Sequence, residues 1–158
     1  GYLMKRFFIF TLAAAAVLLV LVPLSCFWAS PKADPETRGA QPCPDRPNCV
    51  SSRDKGTSSY IPPLGYEGNG QKAWGKLKSV ISQMGGKIQK EEDGYIWASF
   101  STAVFRFVDD VEFNLAPEEG VIHIRSEARL GYSDFGVNRK RLEKLRNLLE
   151  EKMKEPIK

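Results

Sequence analysis

Histidine is nearly absent from the 158 residues, His123 being the only one, and cysteine is scarce, at three. A structural zinc centre needs four His, Cys or carboxylate ligands, so His-rich and Cys-rich metal sites are excluded and no metal is expected. Also missing are the Gly-x-Ser-x-Gly, His-Glu-x-x-His, phosphate-loop and Gly-x-Gly-x-x-Gly patterns that present a nucleophile, a zinc or a nucleotide. Their absence leans the reading away from an enzyme, and no cofactor is expected. Acidic side chains are missing from the first 31 positions. Lys5 and Arg6 are two of the 23 basic residues, so the rest of the chain sets 21 basic against 19 acidic side chains, a net charge of +2. That balance lacks the cationic excess that nucleic acid requires, and no nucleic-acid partner is expected.

What stands in the acid-free stretch is an uncharged, mostly apolar run from Phe7 to Trp28 behind Lys5 and Arg6. This is the pattern of a signal peptide or membrane anchor, and its length leaves cleavage and retention both open. Met4 is the expected natural start. The run ends PLSCFW, where a small residue before Cys26 resembles the lipobox of bacterial lipoproteins, although Pro23 replaces the usual aliphatic residue. Residues 1–29 are therefore expected to be a signal peptide or anchor, with Cys26 the candidate for lipidation. Either fate exports the remainder to the periplasmic or extracytoplasmic side of a bacterial envelope, with the membrane as first partner.

Residues 30–63 are rich in Pro, Ser, Asp and Gly, as a tether is, and contain CPDRPNCVSS from Cys43 to Ser52. In an exported chain Cys43 and Cys49 read first as a local disulfide. A two-thiolate metal site and a nucleophilic Cys49 beside His123 are the competing readings. Residues 64–158 form the expected folded domain, long enough for one core.

Within that domain Ala73, Trp74, Leu77, Val80, Ile81 and Met84 fall on one helical stripe ended by Gly85 and Gly86. Glu92, Asp93 and Gly94 suit a hairpin turn before a strand from Tyr95 to Ser101. In the strand expected over Val104 to Leu115, Phe105, Phe107, Val111, Phe113 and Leu115 face the core, while Arg106, Asp110, Glu112 and Asn114 face away. Asp109 interrupts the core side. The next strand, Val121 to Leu130, turns Ile122, Ile124, Ala128 and Leu130 inward and His123, Arg125, Glu127 and Arg129 outward. A four-residue turn between them predicts Glu112 opposite His123 and Asp110 opposite Arg125. Ser133 or Asp134 caps a last helix from Gly136 to Met153, whose inward stripe includes Val137, Leu142, Leu145 and Leu149. The expected fold is a single compact α+β domain: an antiparallel sheet of four to five strands with two amphipathic helices on one face.

Arg139, Lys140 and Arg141 crowd the positive end of that last helix, so carboxylates or an anionic ligand must answer them. Asp109, Asp110, Glu112, Arg125, Arg129, Asp134, Asn138, Arg139 and Arg141 thus make the candidate binding set. Asp109 leads it, because a carboxylate aimed at a core is desolvated. The leading expectation is a membrane-tethered binding or interaction module whose Asp109, Arg125 and Arg139 region meets a lipid head group, an amphiphile or an envelope protein. One alternative is an envelope enzyme with Asp109 or Asp110 as base and His123 nearby. Another is a purely structural charged network.

CPDRPNCVSS, Trp74, FRFVDDVEF and IHIRSEARLGYSDFGVNRKR, in that order, closely resemble the domain-of-unknown-function family numbered 1499, found in bacterial envelope proteins and plastid-bearing eukaryotes. The resemblance spans about Cys43 to Leu149. It places the family pattern on Cys43, Pro44, Pro47, Asn48, Cys49, Ser51, Ser52, Trp74, Asp109, Asp110, Glu112, Arg125, Ser126, Arg129, Gly131, Tyr132, Asp134, Gly136, Asn138, Arg139 and Arg141. Glu127 and Ala128 depart from it, relatives more often having small residues there. The resemblance implies one domain and carries no settled activity, catalytic residue or cofactor.

Overall fold

The computed structural model describes residues 30–34, 36–37, 42–102 and 107–155. The expected leader, Cys26, and Val104 to Arg106 lie outside these residues. Among the described residues six strands and two helices follow in the order β1 (Cys49–Ser51), β2 (Leu64–Gly65), α1 (Gly70–Gln83), β3 (Lys87–Glu92), β4 (Tyr95–Ser101), β5 (Val108–Ala116), β6 (Val121–Ala128) and α2 (Val137–Lys154). Every pair of strands is antiparallel, in the spatial order β1-β6-β5-β4-β3. The short β1 and β2 lie end to end along the free edge of β6, β1 against Arg125 to Glu127 and β2 against Val121 and Ile122. Six strands thus occupy five ranks of an open sheet, and the α+β reading holds.

The sheet begins earlier in the chain than the boundary expected at residue 63. Asn48, Cys49, Val50, Ser51 and Ser52 are buried, as is Ile61. Ser51 N donates to Ser59 O and Ser52 N donates to Ile124 O, stitching the expected tether into the sheet. Its polar composition hid this because β1 contributes only three residues, too few for an alternating pattern to register.

Helix α1 starts where Asn69 Oδ1 accepts from the amides of Gln71 (2.8 Å) and Lys72 (3.2 Å), satisfying donors that a helix start leaves open. It buries Ala73, Trp74, Leu77, Val80 and Ile81. It ends with Gly85 in the left-handed region (φ 79°). At Gly86 a Cβ would stand 2.5 Å from the Phe100 ring and 2.8 Å from Ile81, so only glycine lets the helix end close on β4. The α1 stripe meets Ile96, Ala98 and Phe100 of β4, Val111 and Phe113 of β5, Ile122 and Ile124 of β6, and Leu142, Leu145 and Leu149 of α2 in one core. Burying each such side chain contributes about 1.5 to 3 kcal/mol, and both helices lie on this one face of the sheet.

The β5–β6 register differs from the expected one by two residues. Ala116 pairs with Val121 across a turn of Pro117 to Gly120, so Glu112 opposes Arg125, Asp110 opposes Glu127, and Asn114 opposes His123. The turn starts one residue later than expected, at Pro117. Three residues expected to face the core do not: Phe107, Leu130 and Val137 are 37%, 39% and 37% exposed. They sit where β5 begins, β6 has ended and α2 starts, beyond the end of the helix-covered core.

Candidate functional site

Strand alternation delivers Tyr95, Trp97 and Ser99 of β4, Asp110 and Glu112 of β5, and Arg125 and Glu127 of β6 to the sheet face opposite the helices. The polar pattern predicts a solvated face, yet Asp110, Glu112, Arg125 and Glu127 are all buried. Asp110 accepts two bonds from Arg129, Nε to Oδ2 at 3.0 Å and a terminal nitrogen to Oδ1 at 2.9 Å, and one from Trp97 Nε1 at 2.8 Å. This bidentate fork is the strong form of the ion pair. Glu112 accepts from the Tyr95 hydroxyl at 2.8 Å and from Arg125 at 3.2 Å, and Arg125 also grips Glu127. Three carboxylates therefore share two guanidiniums.

Main-chain amides of an upstream segment supply further donors. Lys32 N donates to Asp110 Oδ2 at 2.5 Å and Asp34 N donates to Glu112 Oε1 at 3.2 Å, while Lys32 O accepts from Arg125. Residues 32–34 thus lie as a strap over the network, running parallel to β5. Burial raises the Glu112 carboxyl above its ordinary value, against the opposing pull of Tyr95, Arg125 and the Asp34 amide. Burial, with the Glu112 carboxylate beside it, also pushes the Tyr95 hydroxyl up.

Asp109 points to the other face. Its Oδ2 accepts from Arg141 of α2, whose guanidinium also donates to Asn138 Oδ1 at 2.8 Å and lies 5.2 Å from the centroid of the Phe100 ring. Ser126 Oγ donates to the same Asn138 oxygen, and Asn138 Nδ2 reaches Asn48 O at 3.2 Å. Asn48 Nδ2 in turn donates to Gly131 O at 2.7 Å. Burial raises the Asp109 carboxyl above its ordinary value; Arg141 works against this, and the Asp134 and Asp110 carboxylates add to it.

Beside Asp109 opens a pocket of about 510 Å³, lined by Thr102, Phe107, Ala128, Leu130, Gly131, Ser133, Asp134, Phe135 and Val137. Phe135 is 89% exposed and holds φ at 53°, a left-handed conformation that costs a bulky residue about 1 kcal/mol or more. Local bonds hold it there. Phe135 N donates to Ser133 Oγ, and the two Asp134 oxygens accept from Gly136 N (2.9 Å) and Asn138 N (2.7 Å), so Asp134 caps α2 as expected. A second, more polar groove of about 750 Å³ runs along the Cys43–Cys49 disulfide and past Arg139.

The expected single region of Asp109, Arg125 and Arg139 does not form. Arg125 is on the opposite face from Asp109, and Arg139 donates to the carbonyls of Tyr60 (2.9 Å) and Ser58 (2.8 Å), not to a carboxylate. Nor is His123 brought to either aspartate. It sits opposite Asn114, with Nδ1 3.1 Å from Ser52 Oγ and Nε2 3.2 Å from Glu119. Ser52 is 1% exposed and its Oγ accepts from Ile124 N at 2.9 Å, so this series of side chains ties the segment after β1 to β6. Sequence reasoning missed Ser52, Glu119, Tyr95 and Trp97 as polar partners. A signal existed for the last two, which alternate onto the face of Asp110 and Glu112. Among the described residues no group of three or more His, Cys, Asp or Glu side chains is placed to hold a metal ion.

The fold and this geometry define an α+β domain with one ionic and one helix-covered sheet face and an apolar pocket at one end. The chain belongs to the family described as a protein of unknown function, DUF1499, whose model matches residues 40–149. No curated protein and no solved structure matches it.

Proposed function

We propose that this chain is an exported, membrane-tethered binding module of the cell envelope, and that its ligand is an amphiphile held in the pocket beside Asp109. The observation that carries the reading is the pocket itself. Its volume lies in the range of small-molecule sites, and its walls are apolar except for a few polar groups, the usual division between affinity and orientation. Phe107, Leu130 and Val137 receive the apolar part. Asp109 and Asp134 are the acidic groups of the lining, Arg141 is already paired with Asp109 and Arg139 donates to backbone carbonyls, so the polar end of the ligand is a hydrogen-bond donor, a hydroxyl or an amine, that meets these carboxylates, and not an anion. Lys5, Arg6, the apolar run to Trp28 and the lipobox-like Cys26 support the tether. Among the described residues no helix is long and apolar enough to cross a membrane.

The test is native extraction of the full chain from membranes, followed by denaturation and mass spectrometry of what is released. A stoichiometric amphiphile in the native chain, lost in Leu130→Asp and Val137→Asp, is the expected result. Bare protein that also fails to bind a fluorescent long-chain alcohol would overturn the pocket assignment and favour a protein partner.

A further inference from the structure

The strap fixes the direction in which the chain enters the domain. Lys32 bonds to Asp110 and Asp34 to Glu112, so residue number rises along the strap as it rises along β5. Ser30 and Pro31 therefore lie toward the start of β5. That end of the sheet also holds the last residue of β4, paired with Val108, and the last of β6, paired with Asp109. It is the end at which the pocket opens. The opposite end carries the Asp93–Gly94 and Pro117–Gly120 turns.

The same end bears the exposed large apolar side chains Phe107, Leu130, Tyr132, Phe135 and Val137, Tyr132 at 70% and Phe135 at 89%. Ile88 is the one exposed large hydrophobic elsewhere among the described residues. A cluster of this kind marks an interaction surface, and aromatic rings prefer the boundary between hydrocarbon and water. Lys140, one turn into α2, is exposed beside it and suits the head-group layer.

From the entry direction and the apolar cluster together we infer that the 130–137 loop and Phe107 rest on the lipid bilayer in which the leader is held, with the pocket mouth facing the membrane. The occupant of this surface is lipid, and the amphiphile of the pocket is drawn from the bilayer without crossing water. This inference rests on the tether reading above. A leader held in a membrane, followed immediately by the short strap, brings this end of the sheet to the surface and turns the other end away.

The full chain in nanodiscs of phosphatidylcholine and phosphatidylglycerol, doped with a lipid bearing an acyl-chain nitroxide, tests it by paramagnetic loss of amide signals. Signals of Gly131 to Gly136 should be lost while those of Asp93, Gly94 and Glu118 to Gly120 persist, and Phe135→Asp should restore the former. Association of the chain with the discs, with signals at 131–136 intact or with losses at the turns, leaves the tether standing and overturns the orientation. A chain that does not associate with the discs at all overturns both.

Discussion

Asp109 and Asp110 are neighbours in sequence and have opposite addresses. One is a buried partner of a helix arginine; the other is the hub of Trp97 and Arg129 on the far side of the sheet. Removing one member of a buried pair leaves a desolvated charge, which costs more than the pair contributes. Arg141→Ala should therefore lower stability by about 3 to 5 kcal/mol in urea unfolding, and adding Asp109→Asn should recover much of it; additive losses would show that the two do not act as a pair. Glu112 makes the pH case. Its raised carboxyl means the folded state holds the proton more tightly than the unfolded chain, so the stability it contributes is complete below the unfolded value of about 4 and is lost as pH rises through the folded value. Glu112→Gln keeps an acceptor for Tyr95 and the Asp34 amide without titrating. Its melting temperature should gain on the native chain as pH rises above the unfolded value, and a constant difference would remove Glu112 from the account.

At the scale of elements, α1 and the turn that ends it hold two glycines of opposite meaning, Gly75 and Gly86. Gly75 is exposed with nothing within 4 Å of an added Cβ, so Gly75→Ala should stabilise by about 0.5 to 1 kcal/mol, since alanine is the better helix former. Gly86, just past the helix end, faces Phe100, and Gly86→Ala should cost about 1 to 3 kcal/mol through overpacking. Calorimetry on the two variants checks both signs. Both helices and the alternation of β4, β5 and β6 were legible because the apolar period is a local property. Asp109 stood out for the same reason, as a break in that period. The β5–β6 register was not legible, because it depends on which residue opens the turn, and the composition of Ala116 to Gly120 permits either start. The burial of the ionic face was hidden more deeply, since alternation assigns polar residues to a face and is silent on whether a strap lies over it.

For the whole molecule, the Cys43–Cys49 bridge stands at the border between the N-terminal segment and the sheet. Its Cα atoms are 5.7 Å apart, and Cys49 is itself the first residue of β1. Replacing both cysteines by serine should cost about 2 kcal/mol on the chain-entropy account of so short a loop. Amide exchange should rise first at Cys49 to Ser52, where β1 has few ladder bonds of its own. Exchange that rises uniformly over the sheet would instead make the bridge a global clamp.

The edge that β1 and β2 form on β6 also sets a timetable. Ile124 N and Ser52 Oγ, joined in the finished protein, are 72 residues apart in the chain, and a partnership of that span is slow because the loop must close before any contact rewards it. A chain made from its N-terminus presents residues 43–65 long before their partner strand arrives. The disulfide loop can close within its own short segment, but the edge it precedes has no partner until β6 is present.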